Sequence, residues 1–332
     1  MQTVRFSIIV PVYNRPDEAE ELLNSLSRQS SKNFELVVVE DGSNMPSNEI
    51  VERFNAQLNI KYITKPNTGR SDSRNAGMKN ASGDYFVFFD SDCIIPCHYF
   101  ETLERELNGN YADCFGGPDN AHKSFSDTQK AINYAMTSFW TTGGIRGGKV
   151  NMEKFTPRTF NMGFSRQVYD AVGGFKDMFG EDIDLSIRIR NAGFSIKLYG
   201  DAFVYHKRRG DLRKFYRQVN IFGIARINLY KLYPQALKPV HALPAIFTIG
   251  SFALVAASFF SAYFLLPFAF FTLLLFVDSL IRNKNVRVAV LSTVASYIQL
   301  YGYGLGFIKS FIEKIILRKG LEDIETLKRI YK

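Results

Sequence analysis

Apolar residues in the first two hundred positions fall into short runs separated by stretches of helical period. Phe6-Ser7-Ile8-Ile9-Val10 reads as a first strand, Pro11 to Pro16 as a loop, and Asp17 to Arg28 as an amphipathic helix with apolar positions Ala19, Leu22, Leu23 and Leu26. The pattern then repeats: strand Phe34 to Val39, helix Glu49 to Leu58, strand Ile60 to Thr64, and a helix from about Thr68 to Asn80. Tyr85 to Phe89 is continuously apolar or aromatic, as a parallel strand buried on both faces by helices must be. Strands alternating with helices predict crossover connections and a Rossmann-like, doubly wound, mostly parallel α/β sheet.

Further on the pattern changes. Residues 109 to 160 are less regular, with loop signals at Gly116-Gly117-Pro118, Thr141 to Gly144 and Gly147-Gly148 around a helix from Ser126 to Phe139. Another helix opens at Glu181-Asp182, an acidic first turn that by itself reads as capping, and the apolar stretch Ala202 to Tyr205 leads to His206 at a strand end, by itself a hydrogen-bonded structural histidine. From Lys207 to Lys238 there are nine basic residues and one acidic residue, Asp211. Leu212, Phe215, Val219, Phe222, Leu229 and Tyr233 recur there near the helical period until Pro234. Stripe and charge together predict a helix lying on an anionic membrane face. Nucleic acid is the competing reading of the charge, but no recognisable nucleic-acid motif accompanies it.

Residues 243 to 277 carry no charged side chain. At about 1.5 Å per residue that run is too long for one upright span of a hydrocarbon core ~30 Å thick. Two helices joined near Ala262 to Pro267 fit, and the basic residues on either side place both flanks in the cytoplasm. Val288 to Ile308 is a third apolar segment, with Gly302 and Gly306 at a helix-packing spacing. It reads as a third span or as a re-entrant or interfacial helix, because a third span leaves the basic tail Lys309 to Lys332 outside. The expected organisation is an α/β domain over 1–210, a basic amphipathic interfacial helix over 211–240, a membrane region over 241–308 and a basic tail over 309–332.

Composition narrows the class. A chain of 332 residues that is 46% hydrophobic and 14% aromatic is not a disordered one. The formal charge of +9 suits nucleic acid, an anionic membrane or phosphate-bearing substrates, so its distribution decides. Three cysteines, Cys93, Cys97 and Cys114, fit a reducing compartment better than a disulfide framework. Together with His98 they match no common zinc spacing and read as ordinary buried thiols. The run Phe6 to Val10 is too short for a signal peptide and is stopped by Pro11, so the N-terminal part is expected in the cytoplasm.

The polar residues that follow the strands carry the chemistry. Asp90 and Asp92 come directly after the Tyr85 strand, at the carboxyl end where open α/β sheets place ligands. Two readings stand: hard oxygen donors for a divalent cation that holds a diphosphate, or turn aspartates capping the next helix. Asp41 offers an acceptor for a base edge carrying an N–H, such as the uracil imide; the bland reading is a turn. Arg70 and Arg74 share a helical face near the end that favours anions, or a solvated face. The first loop lacks a Gly-x-Gly-x-x-Gly fingerprint, which disfavours a dehydrogenase.

Taken in order, Ile8 to Arg15, Val37 to Ser43, Asn67-Thr68-Gly69 with Arg74-Asn75-Ala76-Gly77, Asp90-Ser91-Asp92, Gly173-Gly174-Phe175 and Gly180 to Leu185 form a set. Over roughly residues 5 to 210 the chain resembles the family 2 glycosyltransferases of the GT-A fold. The resemblance implies a nucleotide-diphosphate sugar donor, a divalent metal, Mg²⁺ or Mn²⁺, and inversion at the anomeric carbon. It implies donor binding by Pro11, Tyr13, Asn14, Arg15, Asp41, Asn67, Gly69, Arg74, Asp90 and Ser91. Asp92 is then the more direct metal ligand, with Asp90 beside it and His206 as a third, while Arg208 and Arg209 contact the diphosphate. Asp182 becomes the general base and Glu181 the neighbour that shapes the site. Ser73 stands where the family often has Ala, a departure expected to be harmless. The glycine-rich segment around Trp140 reads as an acceptor-binding loop or a surface connection, and Trp140 itself as a packed surface aromatic.

The expectation is therefore a membrane-anchored, metal-dependent, inverting glycosyltransferase of polysaccharide biosynthesis, on the cytoplasmic face of the inner membrane. It would move a sugar from a UDP-sugar, or a GDP-sugar, to a hydroxyl of a lipid-linked or cell-surface glycan, with no nucleic acid partner. Processive synthases carry Gln-x-x-Arg-Trp, whereas Gln218-Val219-Asn220-Ile221-Phe222 lacks both Arg and Trp. A polyisoprenyl-phosphate sugar transferase, with a phosphate acceptor, and a catalytically silent nucleotide-sugar-binding scaffold are the other readings.

Overall fold

A computed structural model of the chain describes residues 4–120, 122, 125–143, 155–207 and 210–319. β1 (Phe6–Val12), α1 (Pro16–Ser27), β2 (Phe34–Asp41), α2 (Asn48–Phe54), β3 (Ile60–Lys65), α3 (Arg70–Asn80) and β4 (Tyr85–Phe88) alternate first. Then come β5 (Cys93–Ile94), α4 (Tyr99–Gly109), β6 (Cys114–Gly116), β7 (Asp119–Asn120), α5 (Asp127–Thr137) and α6 (Phe139–Thr142). β8 (Met162–Ser165), α7 (Arg166–Val172), α8 (Glu181–Asn191), β9 (Ile196–Leu198) and β10 (Val204–His206) follow. The remainder is helical: α9 (Leu212–Leu232), α10 (Leu243–Ser258), α11 (Leu266–Asn283) and α12 (Val286–Phe311). The chain forms two compact units, Met1–His122 with Asn151–Lys207, and Lys123–Val150 with Arg208–Lys332.

The first unit is built on a seven-stranded sheet of order β3-β2-β1-β4-β8-β6-β9. β3, β2, β1 and β4 are parallel, as the alternating pattern predicts; β8 runs antiparallel to both β4 and β6, so β4 has a parallel neighbour on one side. Successive residues of β4 point to opposite faces, and both faces are buried. Tyr85 and Val87 join Leu22, Leu26 and Phe100 of α1 and α4, while Phe86 and Phe88 join Met78, Leu185 and Ile189 of α3 and α8. Each such side chain contributes about 1.5–3 kcal/mol on burial, which is why the most continuously apolar run is the central strand.

Several element boundaries differ from the sequence reading. β1 runs on through Pro11, which was expected in a loop; Pro11 pairs only with Val39 of β2, because β4 already ends opposite Ile9. α3 starts at Arg70 rather than Thr68, since Gly69 at the N-cap has φ of +100°. α2 stops at Phe54, short of Leu58. A second, three-stranded sheet, β5-β10-β7, sets His206 opposite Cys93 and so beside Asp92.

In the second unit α12 is the central helix. Its contact with α9 depends on glycines: a Cβ on Gly302 would lie 2.6 Å from Val219 Cγ2, and one on Gly306 2.2 Å from the Asn220 carbonyl oxygen. The Gly302 and Gly306 spacing thus serves helix packing, as expected, but against the basic helix. The stripe on α9 that was expected to lie on a membrane face is covered within the unit: of its members Phe215, Val219 and Leu229 are buried. The helix expected from Ser126 to Phe139 breaks at Ser138, whose backbone is extended. α5 packs with α9 and α12 through Ile132, Ala135 and Met136, so this segment clusters with the helices rather than with the α/β domain of the expected 1–210 boundary. Pro239–Ser258, Ala262–Asn283 and Val286–Ile316 are long and apolar enough to cross a membrane. Asp278, near the end of the second, is met by the Tyr134 hydroxyl at 2.7 Å and by Arg282 at 3.0 Å.

Gly223→Ala tests the helix contact. Its Cβ would meet the Tyr303 carbonyl oxygen at 2.2 Å and the Phe307 nitrogen at 2.7 Å, both backbone. The variant should lose about 1–3 kcal/mol, read as a lower Tm in detergent, whereas Gly250→Ala, with nothing near its added Cβ, should not.

Candidate active site

The chain leaves β4 in a tight turn, with the Cys93 N–H donating to the Asp90 carbonyl at 3.1 Å. One carboxylate oxygen of Asp92 lies 3.1 Å from His206 Nε2 and the other 3.3 Å from Arg15 Nη1. The Lys207 N–H donates to the Asp92 carbonyl at 3.0 Å, so the β5–β10 pairing holds the two residues in register. Ligand atoms of Asp92, Cys93 and His206 all lie within 4.8 Å of one another. A carboxylate oxygen and an imidazole nitrogen, with Asp90 two residues away, are a donor set that fits Mg²⁺ or Mn²⁺. The Cys93 thiol is the soft member; burial first, and then Asp92 and Asp90, push its pKa well up, and it donates to the Phe160 carbonyl at 3.6 Å.

The loops after β1 and β2 are clamped together. Asn14, with φ of +52°, donates its N–H to Ser43 Oγ at 2.7 Å and accepts the Asn44 and Met45 N–H groups at 2.8 and 3.2 Å. Buried Glu40 accepts the Ser43 hydroxyl, the Ser47 N–H at 2.8 Å and the Tyr62 hydroxyl at 2.9 Å. Asp41 is also buried; it accepts the Thr68 N–H at 3.1 Å, the Gly69 N–H at 2.9 Å and Lys65 Nζ at 2.5 Å. Gly42 must be glycine, because its φ is +69° and a Cβ would lie 2.6 Å from the Asn67 nitrogen. Around this frame Tyr13 and Asn67 stay exposed, while Pro11 is half-buried and Ser91 is buried.

Arg74 joins this region to α8. It is 1% exposed, so the solvated-face reading does not hold for it. Its guanidinium donates to Asp90 at 2.7 Å and to Glu181 at 3.2 Å, and lies over the Phe175 ring. Arg70, one turn earlier and partly exposed, reaches the same buried Glu181 at 3.0 Å. α8 has Gly180 as its N-cap with φ of +87°, and its acidic first turn suits the helix dipole. Asp184 is structural, paired with Lys176 and Arg188. Asp182 points elsewhere, to Arg158 Nη1 at 3.1 Å. Burial pushes its carboxyl up, but Arg158, Arg70 and the Ile183 N–H outweigh that and hold it below the ordinary carboxylate range.

The structure thus links Arg15 and His206 through Asp92, and Asp90 and Glu181 through Arg74, while Asp182, next to Glu181 in sequence, pairs with Arg158. Asp41, Asn14 and Gly69 form the adjoining loop frame. Lys65, Arg158 and Phe160 also belong here, and no motif spacing singles them out. Cys97, expected to be buried, is exposed. Trp140 is 43% exposed and meets Phe139 edge to face, as a surface aromatic. Arg208, Arg209, Gly144, Gly147 and Gly148 lie outside the described residues.

Arg74→Met should leave the buried Glu181 carboxylate to Arg70 alone and release Asp90. Breaking such a pair costs about 3–5 kcal/mol, which guanidinium unfolding would measure as a lower midpoint. Arg70→Met, at a partly exposed position, should cost far less.

Residues 7–173 match the model for glycosyl transferase family 2. The glycosyltransferase GlyA of Streptococcus pneumoniae is 42% identical over 110 residues, covering 33% of this chain and 16% of that protein. GlyA and three rickettsial glycosyltransferases are covered over only 15–23% of their length. The glycosyltransferase AglE of Haloferax volcanii is 27% identical over 258 residues, 71% of this chain and 83% of that one. Among solved structures, a mannosyltransferase from Pyrobaculum calidifontis in complex with GDP-Man and Mn²⁺ superposes with a TM-score of 0.64 at 17% identity, over 95% of this chain and 89% of that chain, a likeness of fold. With the family model covering half of its length, the chain belongs to glycosyl transferase family 2.

Proposed function

We propose that this glycosyltransferase moves a sugar, with inversion, from a nucleotide-diphosphate sugar to a hydroxyl of a lipid-linked or cell-surface glycan. The observation that carries the reading is the single guanidinium of Arg74, which ties the Asp90–Asp92 turn to the helix start bearing Asp182. Donor-side and base-side groups are thereby held in one frame. Asp182 takes the proton of the acceptor hydroxyl, and its ionised state at neutral pH leaves an oxygen able to accept it. Glu181 holds Arg70 and Arg74 in place. Asp41 and the Asn14 loop face the base and ribose, with Tyr13 available to stack; a UDP-sugar is favoured because a carboxylate complements the uracil imide. Among the described residues, Arg15 beside Asp92 and Arg70 beside Glu181 are the cations we assign to the diphosphate.

Asp92 and His206, with Asp90, would hold a divalent metal, Mg²⁺ or Mn²⁺. When bound, such a metal supplies charge neutralisation for the departing diphosphate. The Mn²⁺ in the mannosyltransferase complex supports the same choice of metal. The three apolar helices support membrane association. We place the enzyme at the inner membrane with its catalytic domain in the cytoplasm, because basic residues flank the apolar run. Confinement to that surface raises the effective concentration of a lipid-linked acceptor.

Full-length protein incubated with Mn²⁺ or Mg²⁺, a panel of UDP- and GDP-sugars and lipid extract should release nucleoside diphosphate from one donor. Asp182→Asn should lower kcat at least a hundredfold with donor binding retained, and Asp92→Ala should abolish metal-dependent release. The limb of the pH–rate profile that reports Asp182 protonation should lie below the ordinary carboxylate value of about 4, because a base with a depressed pKa protonates late. Normal turnover by Asp182→Asn would overturn the assignment of the base, and saturable donor binding without release would favour the scaffold reading.

A further inference from the structure

We propose that the turn Arg158–Asn161 is a positioning element for both sides of the transfer site: Arg158 orients the Asp182 carboxylate, and Phe160 fixes the plane of the His206 imidazole. The inference rests on the glycosyl-transfer reading above and adds residues that its motifs do not contain.

The turn is held by its last residue. Asn161 is 0% exposed; its Oδ1 accepts the Tyr99 hydroxyl at 2.6 Å, and its Nδ2 donates to the carbonyls of Ala202 at 2.8 Å and Pro118 at 3.3 Å. Its own N–H closes the turn on the Arg158 carbonyl at 2.9 Å, and its carbonyl accepts the Gly117 N–H at 3.1 Å. A buried amide so fully engaged has little freedom, so the backbone of the three preceding residues is anchored with it.

From this anchor the turn reaches two ways. The Phe160 ring stacks on His206 with centroids 4.6 Å apart and planes 24° from parallel. Stacking leaves the imidazole edge free to point Nε2 at Asp92, 3.1 Å away. The Phe160 carbonyl accepts from Cys93 Sγ at 3.6 Å, next to Asp92 in sequence, so the same residue touches both neighbours of the carboxylate. In the other direction Arg158 Nη1 lies 3.1 Å from Asp182 Oδ2. Arg70 of α3 is the other cation facing Asp182; on its own helix, Glu181 is taken by Arg70 and Arg74, and Asp184 by Lys176 and Arg188. Among the described residues Arg158 is the cation in hydrogen-bond contact with Asp182. Partners of this kind, which orient a ligand or base from behind, commonly change metal affinity or activity by about 10–100-fold when removed.

The test needs no sugar donor. Full-length protein in detergent is titrated with Mn²⁺ alone, and free ion is followed by electron paramagnetic resonance. Phe160→Ala should weaken binding about tenfold, Phe160→Tyr should keep it near wild type, and Asp92→Ala should lose it. In protein labelled at the aspartate carboxyl carbon, the Asp182 resonance is the one missing from Asp182→Asn. Arg158→Met should shift that resonance and move its titration midpoint to higher pH, and Arg158→Lys should recover part of the change. Melting curves establish that each variant is folded. A wild-type response in either arm, with Asp92→Ala still losing Mn²⁺, overturns the two-sided role of the turn and leaves the transfer reading standing. No Mn²⁺ binding by the wild-type chain, or binding unchanged in Asp92→Ala, overturns the metal reading itself and with it the Phe160 half of the proposal.

Discussion

A guanidinium sealed from solvent between two carboxylates is the constraint on which the α/β unit depends. Arg74 cannot leave its place without leaving the buried Glu181 to Arg70 alone, and removing charges from water is repaid only when they are paired in good geometry. The arrangement contributes little net stability compared with an apolar core, and its effect is geometric. The carboxyl end of β4 and the first turn of α8 come from segments ninety residues apart, and one side chain of α3 bonds to both. Phe175 covers a face of the guanidinium, so the group is held by a ring as well as by two carboxylates.

The same economy of fixed points recurs around the site. Asn14 locks the loops after β1 and β2 to each other, Glu40 ties the β2 loop to Ser47 and Tyr62, Asp41 draws in the start of α3, and Asn161 pins the turn before β8. Each is a polar side chain satisfying backbone N–H or C=O groups that the strand ends leave unpaired. The second unit uses the opposite device. There close approach of α9 and α12 depends on the absence of side chains at Gly223, Gly302 and Gly306, and polar groups such as Asn220 bond across the gap that the glycines open.

The alternation of apolar runs and amphipathic stretches determined the α/β fold of the first unit, because period and burial are local properties of the chain. The motif residues at strand ends were equally legible: a doubly wound sheet places ligands there whatever the side chains, so Asp41, Asp90 and Asp92 could be located from order alone. The apolar lengths of the last three helices likewise need no tertiary information.

What the sequence left open depends on contacts between distant segments. Whether Arg74 faced solvent or a carboxylate could not be decided by spacing, and the stripe on α9, read as a membrane face, is covered inside its own unit, since a helical face records only that something covers it. The role of the Arg158–Asn161 turn was invisible for the same reason: an Arg and a Phe in an irregular stretch carry no period, and their significance comes from Asp182 and His206, which the fold brings beside them. The sequence by itself determined the elements and the chemistry available at their ends. Only the tertiary structure decided which charges neutralise one another, because pairing energy falls off over a few ångströms while the partners lie tens of residues apart.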